Sequence, residues 1–245
     1  MKSGCIDTDY HVKYFTNKER KYLISTTEPL HIQLQSFLLA RKNYYELLHL
    51  LFLVPGNDEL LLVIRNNGNL QELEEIHEGG KILRNFFEHL TDGQIQREYE
   101  EHHRLFVGPG PLVAPPWESY YRSREQLLFE EWTYQIREQY HHFGLKYKNE
   151  NNEPDDHLLL ELEFMLFLID SCLRETRAEK IVELISSQIT FLENHLTIWV
   201  PFFCKRIIEN TSSQFYLGAA MMLEDLLSFD LTTLLEVREA LSDVR

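Results

Sequence analysis

Apolar residues recur at helical spacing along nearly the whole chain, while alternating strand patterns are rare. From Pro29 to Leu53 the stripe includes Leu34, Phe37, Leu38, Tyr45 and Leu48, and Pro55-Gly56 stops it. Asp58 is placed to cap a short helix through Ile64, which the Asn-Asn-Gly-Asn turn at 66–69 ends. Leu70 to Leu90 reads as a helix interrupted at Gly79-Gly80, with a clear stripe of Ile82, Leu83, Phe86, Phe87 and Leu90. Asp92-Gly93 opens the next helix, which runs to about Phe106. Ser119 is expected to cap one that continues to about Phe143 and ends at Gly144. Asn152 or Glu153 caps a further helix with Pro154 in its first turn, a favoured place for proline. Helices follow at 177–195, 197–210 and 214–242. The pattern predicts an all-α, single-domain bundle of about eight or more helices over residues 26–245. Residues 1–25 are weakly patterned and are expected to form a flexible extension.

Composition narrows the function. The chain has 245 residues, 44% of them apolar, enough to bury a sizeable core. Acids outnumber bases 39 to 24, a formal charge of −15, which argues against nucleic acid and leaves a cationic partner open. Cys5, Cys172 and Cys204 are far apart and form no CxxC pair, so reduced thiols and a cytoplasmic location are expected. The first residues hold no long apolar run, and no Arg-Arg pair occurs. The greasiest stretch, Leu158 to Ile169, is too short to span a bilayer and contains Glu161 and Glu163, so stable membrane insertion is not expected.

Two segments depart from the helical pattern. The first, LFVGPGPLVAPPWESYY (Leu105 to Tyr121), holds four of the chain's eight prolines together with Trp117, Tyr120 and Tyr121. Such density excludes helix and stiffens the backbone. One reading has Trp117 plugging the core while the prolines brace a crossover. The other has a rigid aromatic platform for a peptide, with little ordering entropy left to lose. The second segment begins NEPDDH, and from Asn149 to Leu173 it holds seven acids and no lysine or arginine. Asp155 and Asp156, placed in a first helical turn, complement the helix dipole. The acids exceed that need and predict a negative patch. Asp156 shares a face with Glu163, and His157 is spaced to pair with Glu161. There is no HExxH, no Cys/His cluster, no GxSxG elbow and no P-loop, so neither a metal nor a catalytic group is expected.

LFVGPGPLVAPPWES followed about thirty-five residues later by EPDDH resembles the two hallmark motifs of the TorD/DmsD family of redox-enzyme maturation chaperones. The resemblance is sharp from about Glu98 to Leu168 and looser through the C-terminal helices, where Trp199 and Pro201 stand loosely for a late Pro-Trp element. It implies an all-α fold special to the family and a non-enzymatic role. It also implies binding of the twin-arginine signal peptide of a molybdopterin oxidoreductase, held with its catalytic subunit until the molybdenum cofactor is loaded. The chaperone itself needs no cofactor; the client carries the molybdopterin. Family binding positions fall on Leu105, Phe106, Pro115, Pro116, Trp117, Ser119, Glu153, Pro154, Asp156 and His157. In that picture Asp156 meets the arginines, while Trp117, Leu105 and Phe106 take the apolar stretch. Monomers and domain-swapped dimers both fit the family. A GTP-binding or hydrolysing protein and a general helical scaffold are the alternatives.

Overall fold

The computed structural model describes residues 30–53, 58–67 and 77–243. Among them every regular element is a helix, with no strand, and the all-α expectation holds. The elements are α1 (Leu30–Phe52), α2 (Asp58–Asn67), α3 (Glu78–Glu88), α4 (Asp92–His102), α5 (Glu118–Arg122), α6 (Glu131–His142), α7 (Leu158–Arg174), α8 (Ala178–Phe191), α9 (Thr197–Asn210) and α10 (Gln214–Asp243). Wider π-type turns, His103–Val107 and Leu192–Leu196, extend α4 and join α8 to α9. The expected N-terminal extension and Cys5 lie outside the described residues.

The long α10 is the spine. It packs along α3, α9 and α8, while α7 is sandwiched between α1 and α8. Of the helix expected from Leu70 to Leu90, residues 70–76 lie outside the described residues; Gly79-Gly80 stands in the first turn of α3, capped by His77, whose Nδ1 accepts from the Gly79 amide at 3.0 Å. The reason is the crossing with α10. A Cβ built on Gly79 would stand 2.8 Å from the Gly218 carbonyl, and one on Gly218 would stand 2.8 Å from the Gly79 carbonyl. The two backbones therefore touch, which only glycine allows.

A buried polar knot ties α1, α8 and α10 together. Arg41 forks onto Asp230 at 2.6 and 2.8 Å and donates to Gln188 at 2.5 Å, and Tyr45 donates to Asp230 at 2.8 Å. All four residues are buried. Burial pushes the Tyr45 phenol well up, so it stays a donor to the carboxylate.

Two expected helices are drawn differently. The one expected from Ser119 to Phe143 is broken: α5 stops at Arg122, and α6 begins at Glu131. Gln126 (φ 56°) and Phe129 (φ 60°) turn the chain back in the left-handed region. That reversal sets Trp132 under the Arg122 guanidinium, 3.4 Å from ring centroid to Cζ, a tertiary contact that overrides helix propensity. The other starts at Leu158, not at Asn152 or Glu153, with His157 as N-cap. Pro154, Asp155 and Asp156 precede it, so neither aspartate lies in its first turn as expected.

Candidate functional site

Proline and glycine chemistry shapes the first segment. Gly108, at φ 96°, ends the π turn by donating its amide to the His103 carbonyl at 2.8 Å. The loop then doubles back, the Ala114 amide donating to the Leu105 carbonyl at 2.9 Å, and Arg206 of α9 clamps the Val113 carbonyl at 2.6 Å. Ala114, Pro115 and Pro116 are buried, so this connection is part of the core and not a surface tether.

The two sequence segments meet. Trp117 and His157 form an isolated antiparallel bridge, with the Glu118 amide donating to the Asp156 carbonyl at 3.0 Å and the Leu158 amide to the Pro116 carbonyl at 2.9 Å. Their rings stand edge to face, 5.3 Å apart. His157 Nδ1 accepts from the Leu159 amide at 3.1 Å and caps α7. Desolvation lowers its pKa to about 4, with small contributions from His102 and His49, against the pull of Glu153. The ring is neutral at neutral pH.

Three of the seven acids of the second segment are sealed, together with Glu118 of the first. Asp155, Asp156, Glu118 and Glu161 are all fully buried. Asp156 accepts from the Ser119 amide at 2.6 Å and the Thr133 hydroxyl at 2.8 Å. It therefore caps α5 and ties in α6, with no oxygen turned to solvent. Asp156, expected to meet the arginines of a peptide, is placed behind the cleft and not on its surface. Desolvation raises its pKa in spite of the Ser119 and Thr133 bonds. Asp155 is held by Arg137 Nη2 at 2.6 Å. Glu118 binds Arg122 on one oxygen and His195 Nδ1 at 2.9 Å on the other. Glu161, expected to pair with His157, instead accepts the Trp199 indole N–H at 3.1 Å, and its other oxygen has no partner. Burial, and then the neighbouring Glu118, push its pKa well up. Part of the predicted negative patch is thus an internal acid cluster, Asp155, Asp156 and Glu161, while Glu150, Glu153, Glu163 and Asp170 keep some exposure.

Beside the Trp117–His157 bridge lies a cleft of about 1060 Å³. Six of the ten expected positions line it: Phe106, Pro116, Trp117, Glu153, Pro154 and His157. Leu105, Pro115, Ser119 and Asp156 do not; each is buried behind it as support. The far wall comes from α7, whose Leu160, Glu163, Phe164 and Phe167 follow His157 at three- and four-residue spacing. Its charged lining is balanced, with Lys146 and Lys148 against Glu153 and Glu163. Sequence reasoning missed His102, Tyr147, Phe167 and the cleft role of Glu163; the α7 spacing pointed to the last two. No group of three His, Cys, Asp or Glu able to hold a metal occurs among the described residues, and no helix there is long and apolar enough to cross a membrane.

Fold and site together describe an all-helical protein whose single chain folds two motif segments into one wall of an apolar cleft. The family model for the nitrate reductase delta subunit matches residues 71–205, and the chain belongs to this family, which includes the TorD and DmsD chaperones. It is 30% identical over 125 residues to the chaperone protein TorD of Aliivibrio fischeri, covering 51% of this chain and 58% of the relative. A TorD of Photobacterium profundum is 26% identical over 178 residues, 73% of this chain and 82% of the relative. The Tat proofreading chaperone DmsD of Salmonella typhi is 32% identical over 113 residues, 46% and 50% of the two chains. A crystal structure from Archaeoglobus fulgidus, described as a redox enzyme maturation protein, superposes with a TM-score of 0.51 at 22% identity, covering 77% of this chain and 93% of that one. That likeness bears on the fold.

Proposed function

We propose that this protein is a cytoplasmic, non-enzymatic maturation chaperone that binds the twin-arginine signal peptide of a molybdopterin oxidoreductase. It holds the client's catalytic subunit until its cofactor is in place and so delays export. The observation that carries this reading is the apolar cleft bounded by Trp117, Pro116, Phe106 and His157, where both family motifs meet. A signal peptide has a cationic end and an apolar stretch. The aromatic wall suits the second, and the carboxylates at the cleft suit the first.

Magnitudes agree with a capture-and-release role. One large apolar side chain buried in the cleft contributes about 1.5–3 kcal/mol. A shielded charge-assisted hydrogen bond adds about 1.5–3 kcal/mol and an exposed ion pair about 0–1 kcal/mol. A few such contacts, less the cost of association, give roughly micromolar or somewhat tighter binding. The protein needs no cofactor of its own for this. Residues 26–245 act as one chaperone unit, and oligomeric state is not required by the cleft, which one chain completes.

Calorimetric titration with the leader of a molybdoenzyme encoded beside this chain tests the proposal. Saturable binding in the micromolar range or tighter is expected. Absence of binding to any molybdoenzyme leader overturns it. The GTP reading has no support in the site, since GPGP lacks a following Lys-Ser or Lys-Thr and its prolines remove phosphate-binding amides.

A further inference from the structure

The burial of Asp156 leaves open which group answers a cationic ligand. Two carboxylates reach the cleft, Glu153 and Glu163. Glu153 is exposed, lines the cleft along with Lys146 and Lys148, and already accepts the Tyr147 hydroxyl. An ion pair there is solvated and worth little. Glu163 stands among Leu160, Phe164 and Phe167 on α7, its side chain 39% exposed. His49, only 7% exposed, reaches across from α1 and holds Glu163 Oε1 at 3.0 Å. The carboxylate is thus fixed in direction with a second oxygen to offer, the preorganised geometry that loses least entropy on binding.

A second observation points the same way. His102, 5% exposed, also lines the cleft, and its Nδ1 has no partner. Burial and the nearby His103 lower its pKa to about 4, so the ring is neutral, and it hydrogen-bonds the Phe52 backbone. A carbonyl only accepts, so the nitrogen that meets it carries the proton and Nδ1 remains a bare acceptor. An orphaned buried acceptor is costly unless something donates to it. Glu163 and His102 are both acceptors set in apolar walls, and they ask for a ligand that brings donors.

Resting on the chaperone reading above, we propose that Glu163, positioned by His49, is the cation subsite of the cleft and takes the guanidinium of an arginine-bearing peptide, while His102 Nδ1 accepts a hydroxyl or amide proton from the same peptide. A guanidinium suits this place better than an ammonium. It is more weakly hydrated, and its planar fork can reach a carboxylate oxygen while its face lies against the part-exposed Phe167.

The test is a cycle of two proteins and two peptides. The probe is a synthetic peptide with one Arg-Arg pair followed by an uncharged Leu/Ala-rich stretch, and its partner has Gln-Gln in place of the arginines. Each is titrated into the full chain and into the Glu163→Gln variant, with thermal unfolding to confirm that the variant is folded. The expected result is a loss of about tenfold to a hundredfold for the arginine peptide on Glu163→Gln, and less than about twofold for the glutamine peptide. Equal losses for the two peptides, or none for either, overturn the subsite while wild-type binding leaves the chaperone reading standing. Failure of the wild-type chain to bind either this peptide or its client leader overturns both. If Glu163→Gln does not fold, Glu163→Met, similar in volume and neutral, carries the same comparison.

Discussion

Asp156 Oδ2 accepts the backbone N–H of Ser119 at 2.6 Å, across thirty-seven residues of sequence. One buried carboxylate thereby caps α5, takes the Thr133 hydroxyl of α6, and sits at the head of α7. The two motifs are fastened by this contact and by the backbone bridge at Trp117 and His157.

Asp156→Ala is accordingly expected to act first on stability. It leaves the Ser119 amide and the Thr133 hydroxyl buried and unpaired, at about 1–3 kcal/mol each. A loss near 3 kcal/mol lowers the melting temperature of a chain this size by roughly 6–12 °C. Calorimetric melting checks this. Unchanged melting with lost leader binding would put Asp156 back in direct contact with the peptide.

Glu161 sets a pH dependence with a definite sign. Its pKa in the fold is raised well above the ordinary 4.5, chiefly by burial. Its contribution to stability is thus fully present below about pH 4.5 and is lost as pH rises toward the folded pKa, at about 1.4 kcal/mol per unit. Glu161→Gln keeps an acceptor for the Trp199 indole and removes the ionisation. The variant is expected to match the wild type near pH 5 and to exceed it increasingly by pH 8. Urea unfolding at both pH values reads the difference, and parallel stabilities would refute the assignment.

The fold class was legible because helices advertise themselves through local apolar spacing, and α1, α9 and α10 begin and end within a residue or so of where that spacing predicts. The meeting of the motifs was legible only through their resemblance to a family. The partition of their residues was not legible. Asp156 and Glu153 are both acids in one short motif, yet one is sealed against Ser119 and the other is exposed at the cleft. That difference depends on where α7 starts, and His157 capping it displaced the start by several residues from the proline signal. The Arg41–Asp230 pair, separated by 189 residues, left no trace in local pattern.

That pair makes its own prediction. Arg41→Met strands a buried carboxylate with only Tyr45 to satisfy it and is expected to cost about 3–5 kcal/mol. Adding Asp230→Leu removes the stranded charge, and the double variant should recover most of the loss. Denaturant melts of the two single variants and the double give the coupling directly. Simple additivity would show that the knot contributes as separate contacts.

At the α3–α10 crossing, helix propensity and packing pull in opposite directions. Gly218→Ala gains about 0.5–1 kcal/mol of propensity. Its Cβ, however, would meet both the Gly79 carbonyl and Leu83 Cγ at 2.8 Å. A carbonyl in a helix cannot swing aside, so overpacking of about 1–3 kcal/mol is expected to win. A net destabilisation in urea melts is the expected result; an increase in stability would mean the helices part at little cost.

Trp117 separates structure from recognition most cleanly. It is half-buried, lines the cleft, and contacts His157 edge to face. Trp117→Ala removes an aromatic wall worth about 1.5–3 kcal/mol to an apolar side chain of the leader, a loss of roughly tenfold to a hundredfold in affinity. The backbone bridge that passes through this position uses main-chain atoms of Pro116 and Glu118 and survives the substitution. The melting temperature is therefore expected to fall by less than it does for Asp156→Ala, while the affinity falls further than that shift explains. Titration and melting of the two variants side by side decide the matter. A Trp117→Ala protein that binds the leader as the wild type does would remove Trp117 from the site and leave the rest of the cleft, Phe106, Pro116 and the α7 face among it, to hold the peptide.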